Sequence, residues 1–145
     1  MSSPGPGTLN EKEDLYNIAP CGFHSLDKDG VFVRVNETEL RWLGYTRDEL
    51  IGKKKITDLL APESITPVNH AFRDLILHGY LRDFEVRLLR KDGSILPVLV
   101  SANAILDSEG NYVMSHSSLY DLTPNKRAEQ MFRGLLEAIP DPMVR

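Results

Sequence analysis

The sequence predicts an α+β domain built on an antiparallel sheet. Two short alternating runs, 21–26 and 31–36, precede a cluster of helix signals, and three longer runs, 82–90, 95–106 and 112–121, follow it. Tight turns rich in Asp and Gly (LDKDG, RKDG, DSEGN) join the runs within each group, which suits hairpins rather than crossovers. Between the groups the apolar residues change to helical spacing, so helices and strands separate into layers.

Totals narrow the function classes. The chain has 145 residues, enough for one domain with a real core. A net charge of -4 argues against a nucleic-acid surface, which needs a clustered basic field. Lys53, Lys54 and Lys55 form the one basic run and read as a solvated face. The single cysteine, Cys21, forms no internal disulfide and reads as a small buried apolar residue, in keeping with a cytoplasmic domain. No apolar run approaches the ~20 residues of a membrane span, so no direct membrane insertion is expected, although a parent protein could carry an anchor elsewhere.

Taken in order, residues 1–10 read as a flexible leader rich in Ser, Gly and Pro. Asn10 with Glu13 suggests a capped helix carrying Leu15, Ile18 and Ala19 inward until Pro20. After the first hairpin, Asn36 caps a helix through Leu43 that stops at Gly44, and Thr46 with Glu49 forms a capping box. An apolar turn over 56–60 precedes a longer helix, read as capped by Thr66, opened by Pro67 and ended at Gly79. Val68, Phe72, Leu75 and Ile76 define its buried face. Beyond the last strand, 124–139 reads as an exit helix whose Ala128, Phe132, Leu135 and Ile139 follow a heptad seam. Two heptads are marginal alone, so the helix is expected to pair with a second copy or to continue into further chain. Arg133–Pro140 echoes Glu13–Pro20, so 140–145 reads as the start of a second copy of the same domain.

Several of these segments together resemble a PAS domain, the sensory and dimerisation module of signalling proteins. The resemblance rests on Asn36, Leu43-Gly44-Tyr45, Glu49-Leu50-Ile51-Gly52, Arg90-Lys91-Asp92-Gly93-Ser94 and Asp121-Leu122-Thr123, in that order, and covers about 11–130. It implies a PAS fold over 11–123: a five-stranded antiparallel sheet of order 2-1-5-4-3, with helices on one face and flanking helices at both ends. The last strand is then central. The resemblance further implies that Asp121 and Thr123 couple that strand to the exit helix, that such modules form homodimers, and that they signal to downstream domains of the same chain. A bacterial sensor histidine kinase of a two-component system is the expected setting. The alternatives are a constitutive dimerisation module without ligand, a haem-binding redox or gas sensor, and the input domain of a diguanylate cyclase.

No catalytic motif is present: no assembled nucleophile and base, no phosphate loop and no metal-protease signature, so this segment is expected not to be an enzyme. On the PAS pattern a ligand pocket is lined by Val113, Ser115, Ser117 and Leu119 from the last strand, by Phe84, Val86 and Leu88 from the third, and by Phe72 and Ile76 from the long helix. The expected content is nothing or an unidentified small molecule. The Asn-Cys-Arg-Phe pattern of flavin-binding PAS relatives is missing, 52–58 reads GKKKITD, and Leu119 stands where those relatives carry glutamine. Haem would need a histidine such as His70, which lies about 200° around the helix from Val68 and from Phe72 and so should face solvent. His24 and His116 fall on strands, where a structural role is the default. Glu49 is placed to pair with Lys91 across the helix-strand interface.

Overall fold

A computed structural model of the chain describes residues 6–123. Its elements are α1 (Pro6–Ile18), β1 (Gly22–Asp27), β2 (Phe32–Val35), α2 (Glu37–Leu43), α3 (Arg47–Leu50), a 3-10 turn (Ile56–Leu59), α4 (Pro62–His78), β3 (Tyr80–Leu89), β4 (Ile95–Leu106) and β5 (Tyr112–Asp121). The five strands form one sheet of order β2-β1-β5-β4-β3, antiparallel throughout, so β5 is central. Helices α2 to α4 and the 3-10 turn close over one face, while α1 packs through Tyr16 on Phe23, which alternates with the inward His24 on β1. Phe32, Leu43, Leu50, Leu59, Leu88 and Leu96 are fully buried between the layers. The expected exit helix, with Ala128, Phe132, Leu135 and Ile139, and the proposed second start at 140–145 lie outside the described residues.

Asn36 ties the first layer together. Its Oδ1 accepts from the N–H groups of Phe23 (3.0 Å) and Glu39 (3.1 Å), and its Nδ2 donates to the carbonyls of Tyr16 (2.7 Å) and Cys21 (3.1 Å). A residue read locally as a helix cap thus also joins α1, β1 and α2. Gly44 and Gly79 end α2 and α4 in the left-handed conformation, at φ 83° and 87°, and each donates its N–H back to the preceding turn.

Two helices depart from the sequence reading. α1 begins at Pro6, inside the stretch read as leader, and Asn10 lies within it. Leu15 and Ile18, expected inward, are 66% and 72% exposed. The helix instead turns Tyr16 and Asn17 to the domain. Tyr16 stacks on Phe23 with ring centroids 5.8 Å apart, and Asn17 Oδ1 accepts the Glu37 N–H. α4 begins at Pro62 rather than at Thr66, leaving Pro67 inside the helix. Long-range bonds hold the extra turn: the buried Ser64 hydroxyl accepts the Arg87 N–H (3.0 Å), the Ala61 N–H reaches Arg87 O (2.9 Å), and Glu63 pairs with Arg87 (2.9 Å). Pro62 takes the first helical position that Pro67 was expected to fill.

The Thr46 capping box forms as read, and Glu49 also pairs with Lys91 at 2.7 Å. The hydrogen bond from Lys91, reinforced by the Thr46 N–H, holds the Glu49 carboxyl at about 2 instead of 4.5. The same bond raises Lys91. Because the folded carboxyl binds its proton more weakly than the unfolded one, its stabilisation is present above pH 4.5 and fades as the pH falls towards 2. The pair is exposed and salt-screened, so the effect on global stability is small. In a carboxyl NMR titration Glu49 should titrate well below the ordinary glutamate value of 4.5, and Lys91→Met should return its midpoint upward. An unchanged midpoint in Lys91→Met would assign the shift to the capping box alone.

Candidate functional site

The inner face of the sheet is underfilled where small side chains meet α4. On β5 the inward positions are Ser115, Ser117 and Leu119, and two consecutive inward serines leave room beneath the helix. A cavity of about 60 Å³ lies there. Phe72 reaches it from α4, Phe84, Val86 and Leu88 from β3, and Ser115, Ser117 and Leu119 from β5, so the structure brings these predicted residues together. An irregularity between Leu81 and Phe84, with Asp83 at φ 53°, resets the β3 alternation so that Leu81 and Phe84 both line the cavity.

Ile76 and Val113 do not belong to the wall. Ile76 is 51% exposed. The inward stripe of α4 is Val68, Ala71, Phe72 and Leu75, and Ile76 lies about 100° beyond Leu75. Val113 is 41% exposed because it is the extra residue of a β-bulge: Ile105 pairs with Met114 while Leu106 pairs with Tyr112. The bulge takes Val113 out of the stripe that the PAS resemblance assigned to it.

Sequence reasoning passed over His24. The signal was present, since alternation places His24 on the same face of β1 as buried Leu26. His24 lines the cavity, and its Nδ1 lies 2.7 Å from Glu39 Oε2, with side-chain exposures of 3% and 0%. Glu39 stands behind the ring on α2, outside the wall. Gly22 makes space for it: a Cβ there would sit 3.1 Å from Glu39 Cβ and Oε1. The Phe32 ring meets His24 edge-on at 5.2 Å. Among the described residues Glu39 Oε1 and Ser115 Oγ are buried without a hydrogen-bond partner.

The remaining candidates lie elsewhere. His70 and His78 are exposed on α4, and His116 bonds Ser25 Oγ at 2.7 Å on the opposite face of the sheet. Cys21 is buried before β1, where burial pushes its thiol up from its ordinary value and disfavours the thiolate. Among the described residues no group of three or more His, Cys, Asp or Glu could hold a metal, and no helix is long and apolar enough to cross a membrane.

β5 carries the cavity wall directly to the end of the sheet. Asp121 pairs with Val98, the Leu122 N–H reaches Pro97 O (2.9 Å), and the Thr123 N–H donates to Asp121 Oδ1 (2.8 Å). The Thr123 hydroxyl is buried without a hydrogen-bond partner among the described residues, and the Asp121 carboxylate accepts the Thr123 N–H.

Residues 20–124 match the profile of the PAS domain family. The chain belongs to the PAS domain family. It is 32% identical over 92 residues to the phosphoserine phosphatase RsbP of Bacillus subtilis, covering 63% of this chain and 23% of that protein. It is 26% identical over 119 residues to the C4-dicarboxylate transport sensor protein DctS of Rhodobacter capsulatus, covering 81% and 18%. The chain therefore spans about a fifth of the length of these curated relatives. Among solved structures, a PAS domain from Colwellia psychrerythraea superposes with TM-score 0.71 at 19% identity, over 80% of this chain and 98% of that one. A PAS domain from a two-component sensor histidine kinase gives 0.66 at 19%, over 81% and 98%. These likenesses establish the fold. A PAS domain is in general a non-catalytic sensory module, and sensor-type signalling proteins are among this chain's relatives.

Proposed function

We propose that this PAS domain is the input module of a larger signalling protein, in which occupancy of the cavity is relayed along β5 through Asp121 and Thr123 to the chain beyond. The observation that carries this reading is that Ser115, Ser117 and Leu119 line the cavity on the strand that ends, two residues later, at the Asp121–Thr123 junction. A histidine kinase is the proposed output, supported by the sensor protein DctS among the relatives together with the fold shared with a PAS domain from a two-component sensor histidine kinase. Homodimerisation through Ala128, Phe132, Leu135 and Ile139 belongs to the same proposal. The volume of about 60 Å³ favours a small ligand over haem or flavin, and His70 lies outside the wall.

Filling the cavity from β5 provides the test. Ser117→Met should change amide exchange in β5 and also in the residues after Thr123, by hydrogen-exchange mass spectrometry. With Asp121→Ala and Thr123→Ala added, the change should stay within the sheet while the domain remains folded. A response in β5 that never passes residue 121 in the otherwise native chain would reduce the junction to a structural element.

A further inference from the structure

We propose that the cavity selects a small neutral molecule with an apolar body and one hydrogen-bond-accepting oxygen, such as a short ketone, held by Ser115 and by the His24–Glu39 pair. This rests on the cavity being the input site and adds the chemistry of what enters it.

Size comes first. An apolar protein cavity of about 150 Å³ admits benzene with its six carbons, so about 60 Å³ limits the guest to roughly two to four non-hydrogen atoms. Most of the wall is hydrocarbon, including Val68, Leu75, Val86, Leu88 and Leu119, and a charged guest would lose its hydration there without compensation.

Polar groups on the wall are few and specific. Ser115 is 1% exposed and its hydroxyl makes no hydrogen bond among the described residues; the Tyr112 hydroxyl, also buried and unpaired there, lies beside it. A guest oxygen would satisfy Ser115. His24 adds a second group whose role follows from charge. A carboxylate buried as completely as Glu39 carries a large desolvation cost unless its pair is neutral overall. Two arrangements meet that condition, imidazolium with carboxylate and imidazole with carboxyl. In both, the shared proton lies between Nδ1 and Oε2, and Nε2 keeps its hydrogen. The ring therefore has an N–H donor on the nitrogen not engaged by Glu39, and serine hydroxyls also donate. Donors on an otherwise apolar wall select an acceptor oxygen and reject a cation.

Methyl-labelled protein titrated separately with acetone, xenon, acetate and ethylammonium tests this. Acetone should shift the Val86 and Leu119 methyls saturably, while acetate and ethylammonium leave them unmoved. Ser115→Ala should weaken acetone about five- to tenfold, the loss of one or so hydrogen bonds, without weakening xenon. His24→Leu with Glu39→Met, which keeps the core apolar and uncharged, should weaken acetone similarly, and Tyr112→Phe should not. In native protein the His24 Nε2 signal should be that of a protonated nitrogen. Xenon binding without acetone, equal acetone affinity in Ser115→Ala, a bare Nε2, or acetate binding as well as acetone would each overturn the proposed selectivity while leaving an input cavity. Entry of no probe at all, xenon included, would overturn the cavity reading itself.

Discussion

Asn36→Ala is expected to destabilise the domain by about 4 kcal/mol or more, enough to unfold many domains of this size. The side chain is completely buried and all of its hydrogen-bonding capacity is used. Truncation leaves the N–H groups of Phe23 and Glu39 and the carbonyls of Tyr16 and Cys21 without that partner. Each buried group left unpaired costs about 1–3 kcal/mol. Asn36→Asp preserves shape and the two accepted bonds, but it replaces the donor that meets Tyr16 O and Cys21 O with a carboxylate oxygen. It should be no milder than alanine at neutral pH. Urea denaturation provides the measurement. A loss below about 1 kcal/mol for Asn36→Ala would mean that water or backbone relaxation replaces these bonds, and that Asn36 is no more than a cap.

Where local chemistry decides the structure, the sequence was readable. The Asn36 and Thr46 caps, the glycine stops at Gly44 and Gly79, and the last two strands, 95–106 and 112–121, need only neighbours a few residues away. The cavity residues Val86, Leu88, Ser115, Ser117 and Leu119, expected from the PAS resemblance, fall on regular alternation. Distant partners decide the rest. Thr66-Pro67 is a good helix start in isolation, but Ser64 bonded to Arg87, 23 residues away, keeps the preceding turn helical. Val113 leaves the wall because a bulge forms against Leu106, which no period within β5 encodes. Leu15 and Ile18 have an apolar pattern, yet α1 is held by Tyr16 and Asn17 instead. His24 meets its partner 15 residues on, across two elements, and alternation alone does not reveal a carboxylate behind the wall.

That pair supports the second large effect. His24→Leu should cost about 3 kcal/mol or more, because it leaves Glu39, 0% exposed in its side chain, without its partner. Glu39→Met should cost less, since the imidazole left behind can remain neutral. The double change, His24→Leu with Glu39→Met, should return stability to within about 1 kcal/mol of the native chain, since a buried ionic pair replaced by apolar side chains is often neutral or better. The coupling between the two positions, taken from a double-mutant cycle in urea, is then about 2 kcal/mol or larger. Additive losses would mean that the 2.7 Å contact carries little energy and that each side chain matters only for its packing, His24 against Phe32 and Glu39 beneath Gly22. If instead the cycle shows strong coupling and the double variant is as stable as the native chain, the pair is unnecessary for folding. The presence of His24 on the wall of an apolar cavity, with Glu39 behind it, is then explained by the donor the ring presents there.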